Sequence, residues 1–286
     1  MEKIAVKAPT TLLELLGQHF PNSSKSQLRE WIAARRLQLD GRLVRHPQTP
    51  LQPGQLLFLL PKPHPVVELG RCGELIYADR ELVVVDKRHG VLTVATDYER
   101  DTCLHAALKR HFYPRKVGVV HRLDRETSGL LLFALEENSY CELKQQLKER
   151  KVKRCYLALV QGMAEPSSGS WSSYLTEEEN YLVHSCDGRE RGELATTHYR
   201  VVERYGRYAL LHLTLETGKK HQIRVHCQEA GCPVVGDDKY GGDEASRMAL
   251  HATELVFNHP RTGRHLSFSS PLPPSFASLL KKARGA

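Results

Sequence analysis

Three prolines in five residues, Pro61-Lys62-Pro63-His64-Pro65, interrupt the chain about a fifth of the way along. Proline fixes φ and has no amide N–H, so this run continues neither a helix nor a central strand and reads as a linker. It predicts a small module over residues 1–63 and a larger body over 64–286, a division that the length of 286 residues allows. The formal net charge of +8 gathers ahead of the linker: residues 1–63 carry nine Lys and Arg against four Asp and Glu, while the body is nearly balanced. A small basic segment beside a near-neutral body suggests a tether for a polyanion joined to a separate working domain. The alternative is a basic surface that only aids solubility.

Several classes are disfavoured at this point. No apolar run approaches the roughly 18–20 residues that span a bilayer, and Met1-Glu2-Lys3-Ile4-Ala5-Val6-Lys7 has no apolar stretch of signal-peptide length. The seven cysteines are odd in number and include no Cys-x-x-Cys pair. Free thiols in a reducing, cytoplasmic setting are expected, in a monomer that meets no membrane.

In the small module, Leu12, Leu13, Leu15, Leu16 and Phe20 recur at helical spacing. After Pro21, Ser24 or Ser26 caps a second helix whose apolar face is Leu28, Trp31 and Ile32 and whose cations are Lys25, Arg29, Arg35 and Arg36. Leu37-Gln38-Leu39 alternates like a strand, Asp40-Gly41 signals a hairpin turn, and Leu56–Leu60 reads as a last strand. In the body, helices are predicted over Thr102–Phe112 and Glu137–Arg150. Strands are predicted at Leu82–Asp86, Leu130–Leu135, Tyr156–Val160, Ala195–Val202, Tyr208–Leu215 and Leu250–Phe257, with Ser167-Ser168-Gly169-Ser170 and Gly241-Gly242 as loops. Strands of varied length with few helices give an α+β fold around a mixed, largely antiparallel sheet.

Two stretches carry chemistry. From Gly118 to Phe133, apolar strands flank the polar loop His121-Arg122-Leu123-Asp124-Arg125-Glu126-Thr127-Ser128, which ends at Gly129. Cations beside a carboxylate favour its ionised form, which suits a nucleophile or a general base; a charged turn that pairs only with itself is the plainer reading. From Leu215 to His226, the cations Lys219, Lys220 and Arg224 follow a strand, and Arg224 can pair with a buried carboxylate or fork onto a phosphate; a solvated basic turn is the alternative. His221, His226, Cys227 and Cys232 fit zinc spacing only in part, so no metal is expected.

Together these stretches resemble the RluA-type pseudouridine synthases. His121-Arg122-Leu123-Asp124-Arg125-Glu126-Thr127-Ser128-Gly129 is similar to that family's catalytic loop nearly letter for letter. Lys153-Arg154-Cys155-Tyr156-Leu157-Ala158-Leu159, then Thr217-Gly218 through His221-Gln222-Ile223-Arg224-Val225-His226, then Gly236-Asp237 to Tyr240-Gly241, and last Leu250-His251-Ala252 follow in the family's order, over roughly residues 72–283. Residues 1–63 resemble the small RNA-binding module of ribosomal small-subunit protein four, in Ser24-Lys25-Ser26, the Arg-rich second helix, Leu37-Gln38-Leu39-Asp40-Gly41 and Pro53-Gly54-Gln55.

The resemblance implies an isomerase that flips a uridine out of structured, expectedly ribosomal, RNA and converts it to pseudouridine without cofactor or metal. It implies Asp124 as the catalytic carboxylate, Arg224 as its ion-pair partner and Tyr156 as the ring that stacks on uracil. Arg122 would fill the space left by the flipped base or hold its phosphate, and Arg125, Lys87, Arg88, Lys219, Lys220, Lys25, Arg29, Arg35 and Arg36 are the further RNA contacts. Arg122, Arg125 and Arg224 are all expected near Asp124. Two departures stand out: Lys87-Arg88-His89-Gly90 lacks the family's proline, and Gly218-Lys219-Lys220-His221 replaces Gly-Arg-Thr-His. The competing readings are an RNA-binding or assembly protein without catalysis, and a metal hydrolase on the His/Cys cluster.

Overall fold

The computed structural model describes all residues except Met1, Arg35, Gly41, Arg45, residues 61–66, Asn180 and Ala286, with Arg42 and Leu43 described in backbone only. The proline run and Gly41 of the Asp-Gly turn therefore lie outside the described residues. The chain divides into two compact units, Met1–Val66 with Ser267–Pro271, and Val67–Leu266 with Leu272–Ala286.

In the first unit the order is β1 (Glu2–Ala5), β2 (Thr10–Thr11), α1 (Leu12–His19), α2 (Lys25–Ala33), β3 (Leu37–Leu39), β4 (Arg42–Leu43), β5 (Pro50–Leu51) and β6 (Leu56–Leu59). Thr11 and Glu14 cap the start of α1 reciprocally, and the Ser24 hydroxyl accepts the Gln27 amide at the start of α2. The sheet runs β1-β6-β3-β4. Leu12, Leu16, Leu28 and Ile32 of the helices share one core with Ile4, Leu37 and Leu57 of the strands.

The second unit continues with β7 (Val67–Glu68), β8 (Gly73–Ala78), β9 (Leu82–Lys87), α3 (Leu104–His111), β10 (Gly118–Val119), β11 (Ser128–Ala134), α4 (Glu137–Lys148), β12 (Lys153–Gln161), β13 (Ser168–Glu177), β14 (Val183–Cys186), β15 (Glu193–Tyr205) and β16 (Tyr208–Leu215). Then come α5 (Gln222–Glu229), β17 (Leu250–Asn258), β18 (His265–Ser269), of which only His265 and Leu266 fall in this unit, and α6 (Pro274–Arg284). One twelve-stranded sheet runs β14-β13-β15-β16-β12-β17-β11-β9-β8-β7, with β10 on β11 and β18 on β17. The only parallel pair recorded among the described strands is β11 with β17; the α+β, largely antiparallel expectation matches.

Period-two alternation sorts β12 between two layers. Tyr156, Ala158 and Val160 join the main core with Leu211, Leu213 and Ile223. Leu159 joins a second cluster with Phe276, Leu279 and Leu280 of α6. Every residue of β11 is buried, as its wholly apolar run predicts for a strand covered on both faces. Gly129 is required there: its φ is +113°, and a Cβ would lie 2.2 Å from the Ala252 carbonyl oxygen of β17.

One expectation needs correction, and one alternative reading is ruled out. Ser168 to Ser170, read as loop, opens the ten-residue strand β13, because pairing with β15 outweighs the low strand preference of Ser and Gly. The basic stretch after β16 is no solvated turn. Its second half is α5, with Gln222 through Cys227 all buried.

Candidate active site

Asp124 lies on the loop between β10 and β11, and that loop is fixed on both sides of it. Ahead of it, buried Thr93 donates its hydroxyl to the Leu123 carbonyl at 2.7 Å and accepts the Leu123 amide at 3.2 Å. Behind it, the Lys87 ammonium donates to the carbonyls of Arg125 at 3.0 Å, Val91 at 2.7 Å and Arg88 at 3.0 Å. Three acceptors match the three N–H bonds of an ammonium. Burial pulls Lys87 down to about 7, while the negative charges of Asp124 and Glu126 pull the other way.

Asp124 faces α5. Arg224 is buried and is held by Asp237 through two parallel bonds, Nε to Oδ2 at 2.7 Å and Nη2 to Oδ1 at 2.8 Å. This fork leaves Nη1 to reach Asp124 Oδ2 at 3.3 Å. Burial works against the charge of Arg224, but the bonds and charge of Asp237, and then Asp124, outweigh it and hold the guanidinium above its ordinary value. Asp237 itself is 1% exposed, and Tyr240 puts its ring 4.9 Å from the guanidinium carbon. His221, the residue before α5, brings Nε2 to 3.9 Å from Asp124 Oδ2.

Asp124, Arg224, His221 and Tyr156 line one cleft of about 1890 Å³, larger than the roughly 300–1,000 Å³ of ordinary small-molecule sites. Tyr156 sits in its wall on β12, with burial pushing the phenol up to about 12, so the hydroxyl is a neutral donor near pH 7. His121 is also in the wall; burial pushes it down to about 3, and its Nε2 accepts the Leu132 amide at 3.2 Å.

The expected trio Asp124, Tyr156 and Arg224 is thus brought to one cleft. The expected ring of arginines is not. Arg125 turns to Glu99 at 2.8 Å, Arg122 is exposed at the cleft, and neither pairs with Asp124 among the described residues. Lys87 is corrected from an RNA contact to a loop clamp: it is 0% exposed, and its ammonium is used up by three carbonyls. Arg88 is exposed and paired with Glu68 at 3.0 Å. Lys219 and Lys220 line the cleft while bonded to Glu193 and Glu177.

In the first unit Lys25 and Arg29 are exposed on α2. Arg36 is half-buried, donating to the Leu60 carbonyl at 2.9 Å with its guanidinium over Trp31. Arg35 lies outside the described residues.

The His/Cys cluster weighed for zinc is spent on other bonds. His226 hydrogen-bonds Ser173 and Thr197, His221 hydrogen-bonds Tyr240, and the free thiols of Cys227 and Cys232 are hydrogen-bonded to each other. One group of metal-ligand types does converge among the described residues, Cys155, His212 and Glu254, with Glu254 bonded by Lys153 at 3.0 Å. Sequence reasoning gave no role to Thr93, noted Asp237 only as part of a motif and considered His221 only as a metal ligand. The Gly236-Asp237 pair was the available signal, since Gly236 has φ +77° and a Cβ there would lie 2.2 Å from the Arg247 carbonyl oxygen.

Residues 81–229 match the family described as RNA pseudouridylate synthase. The chain is 33% identical to ribosomal large subunit pseudouridine synthase D of Pseudomonas aeruginosa, over 95% of this chain and 91% of that protein. It is 32% identical to the uncharacterized RNA pseudouridine synthase YlyB of Bacillus subtilis, over 91% and 90%. Among solved structures, human RNA pseudouridylate synthase domain containing 1 superposes with a TM-score of 0.60 at 27% identity, covering 78% of this chain and 98% of that one.

Proposed function

Because this chain belongs to the RNA pseudouridylate synthase family, and is thus an isomerase of uridine in RNA, we propose that it acts on ribosomal RNA of the large subunit, with Asp124 as the carboxylate that works on the ribose. The substrate class is supported by the printed names of the relatives, ribosomal large subunit pseudouridine synthase D in several bacteria. The observation that carries the site is the Arg224–Asp124 contact of 3.3 Å in a cleft that Tyr156 also lines.

The reaction breaks the N1–C1′ bond of a uridine, turns the uracil and joins C5 to C1′; C5 then gives up its proton and N1 takes one up, so the product is an isomer of the substrate. A stacked base is out of reach, so the nucleotide is flipped into the cleft at a cost of a few kcal/mol. Arg224, fixed by Asp237, aligns Asp124 at the sugar. Tyr156 offers its ring face to the uracil, and its neutral hydroxyl can relay the proton that C5 releases by giving up its own to an acceptor as it takes that one. Arg122, Arg125, Lys219 and Lys220, all at the cleft, hold phosphates of the flanking strand, joined by the exposed Arg88. Mapping pseudouridine in total cellular RNA with and without the protein tests the reading. One or more large-subunit uridines should lose the modification in its absence; an unchanged map would overturn it.

Residues 1–63 form the RNA tether of this reading and residues 64–286 the catalytic domain. The basic charge of the first segment and its likeness to the module of ribosomal protein four support that division. Lys25 and Arg29, both exposed on α2, are its phosphate contacts. Replacing both with Ala should reduce the slope of log affinity against log salt by about 1.5, since each lost contact removes roughly 0.7–0.9. Filter binding across a salt series reads this directly, and an unchanged slope would remove the tether from the account.

A further inference from the structure

His221 is the only residue other than Arg224 with an ion-pair-range contact to Asp124 among the described residues. Its backbone is left-handed, φ 52° and ψ 14°, a conformation few non-glycine residues adopt, although His enters it more readily than most. Such strain persists where surrounding structure imposes it, often at a working position. Its side chain is 9% exposed, and it lines the cleft.

Hydrogen-bond accounting around Tyr240 fixes which ring nitrogen of His221 holds the proton. Tyr240 has one hydroxyl proton, which it donates to the Val183 carbonyl at 3.0 Å. The same oxygen accepts the Val183 amide at 3.1 Å and lies 2.9 Å from His221 Nδ1. With its proton spent, the hydroxyl can only accept from Nδ1, so Nδ1 carries the hydrogen. Burial pushes His221 down to about 4, leaving the ring neutral near pH 7. Nε2 therefore presents a lone pair, and at 3.9 Å from Asp124 Oδ2 it is beyond hydrogen-bond range of that oxygen.

An acceptor in that place faces the sugar, if Asp124 works on the sugar. In a nucleotide inside an RNA chain the 3′ and 5′ oxygens are esterified. The ribose then has one hydrogen-bond donor, the 2′-hydroxyl. We propose that His221 Nε2 accepts a hydrogen bond from the 2′-hydroxyl of the target uridine, making His221 the residue by which this site distinguishes ribose from deoxyribose at the reacting nucleotide. The 2′-hydroxyl is the general chemical mark by which a protein tells RNA from DNA. The Tyr240–His221 bond is then the support that aims the ring.

The inference rests on the reading of Asp124 as the sugar-directed carboxylate, and the test separates the two. The probe is a synthetic RNA hairpin carrying the uridine identified by mapping, alongside the same hairpin with 2′-deoxyuridine at that one position. Binding is measured to protein silenced by Asp124→Asn. With His221 present, the ribo hairpin should bind about tenfold tighter, the worth of one net hydrogen bond. His221→Asn tolerates the left-handed backbone and can keep the donor to Tyr240, but its side chain stops short of Nε2; the preference should fall below about twofold. His221→Gln places an acceptor atom near the Nε2 position and should recover part of it. Thermal melting checks that each variant is folded. A tenfold preference that survives His221→Asn, or no preference with His221 itself, overturns the inference while leaving the Asp124 reading intact. If the wild-type protein forms no pseudouridine in any RNA, both fall, and mapping reveals that before a hairpin is made.

Discussion

Asp124→Asn should lower single-turnover pseudouridine formation by about 10⁴-fold, at the upper end of what one positioned acid–base group supplies. Asparagine keeps the size and one oxygen for Arg224 Nη1, which now lies 3.3 Å away. It loses the charge that makes a nucleophile or a base. RNA affinity should change by less than about threefold, because the phosphate contacts, from Arg122, Arg125, Lys219, Lys220 and Arg88 in the second unit and from Lys25 and Arg29 in the first, are untouched. Mass spectrometry of the RNA after a single turnover and filter binding on the same preparations read the two effects separately. A variant that turns over at the wild-type rate would remove Asp124 from the chemistry.

The second large effect belongs to a residue that need not touch substrate. Asp237 grips Arg224 at 2.7 and 2.8 Å, and both groups are buried. Asp237→Ala leaves a buried guanidinium with one long contact to Asp124, and removal of one partner from a buried pair costs about 3–5 kcal/mol. Denaturant unfolding should record that loss. Asp237→Asn preserves volume and one acceptor and should fold. Its kcat should fall by about 10²-fold with KM little changed, since a shift of order 1 Å in a positioning group is enough to do this. If KM rises and kcat holds, Asp237 serves binding and the alignment argument is wrong.

The parts of the site written in the sequence are those decided locally. The apolar run Leu130 to Leu135 announces a buried strand, and β11 is one. The polar loop ahead of it had to sit at the end of that strand. Tyr156 alternates with Ala158 and Val160, which put it on the core face. The parts that were not legible are those settled by partners distant in the chain. A Lys beside Arg88 and His89 reads as surface charge, yet Lys87 is buried because the Arg125 carbonyl, 38 residues away, completes its set of acceptors. Arg125 follows Asp124 in sequence, but Glu99 captures it at 2.8 Å. The stretch around Arg224 reads as a loop of cations until Asp237 is available to pair with the one that turns inward. Serines at 168 and 170 resist a strand reading until β15 lies beside them.

The parallel seam between β11 and β17 bears on the order in which this protein is built. Ser128 and His251, bonded across it at 2.8 Å, are 123 residues apart. A contact of that span closes a long loop before it returns any stabilisation, so it belongs to the late part of folding. During synthesis, Asp124, Tyr156 and Arg224 all leave the ribosome ahead of the strand that holds β11 from its far side. The newborn chain thus carries Asp124, Tyr156 and Arg224 before it carries the frame that sets their distances, and competence waits on the emergence of β17.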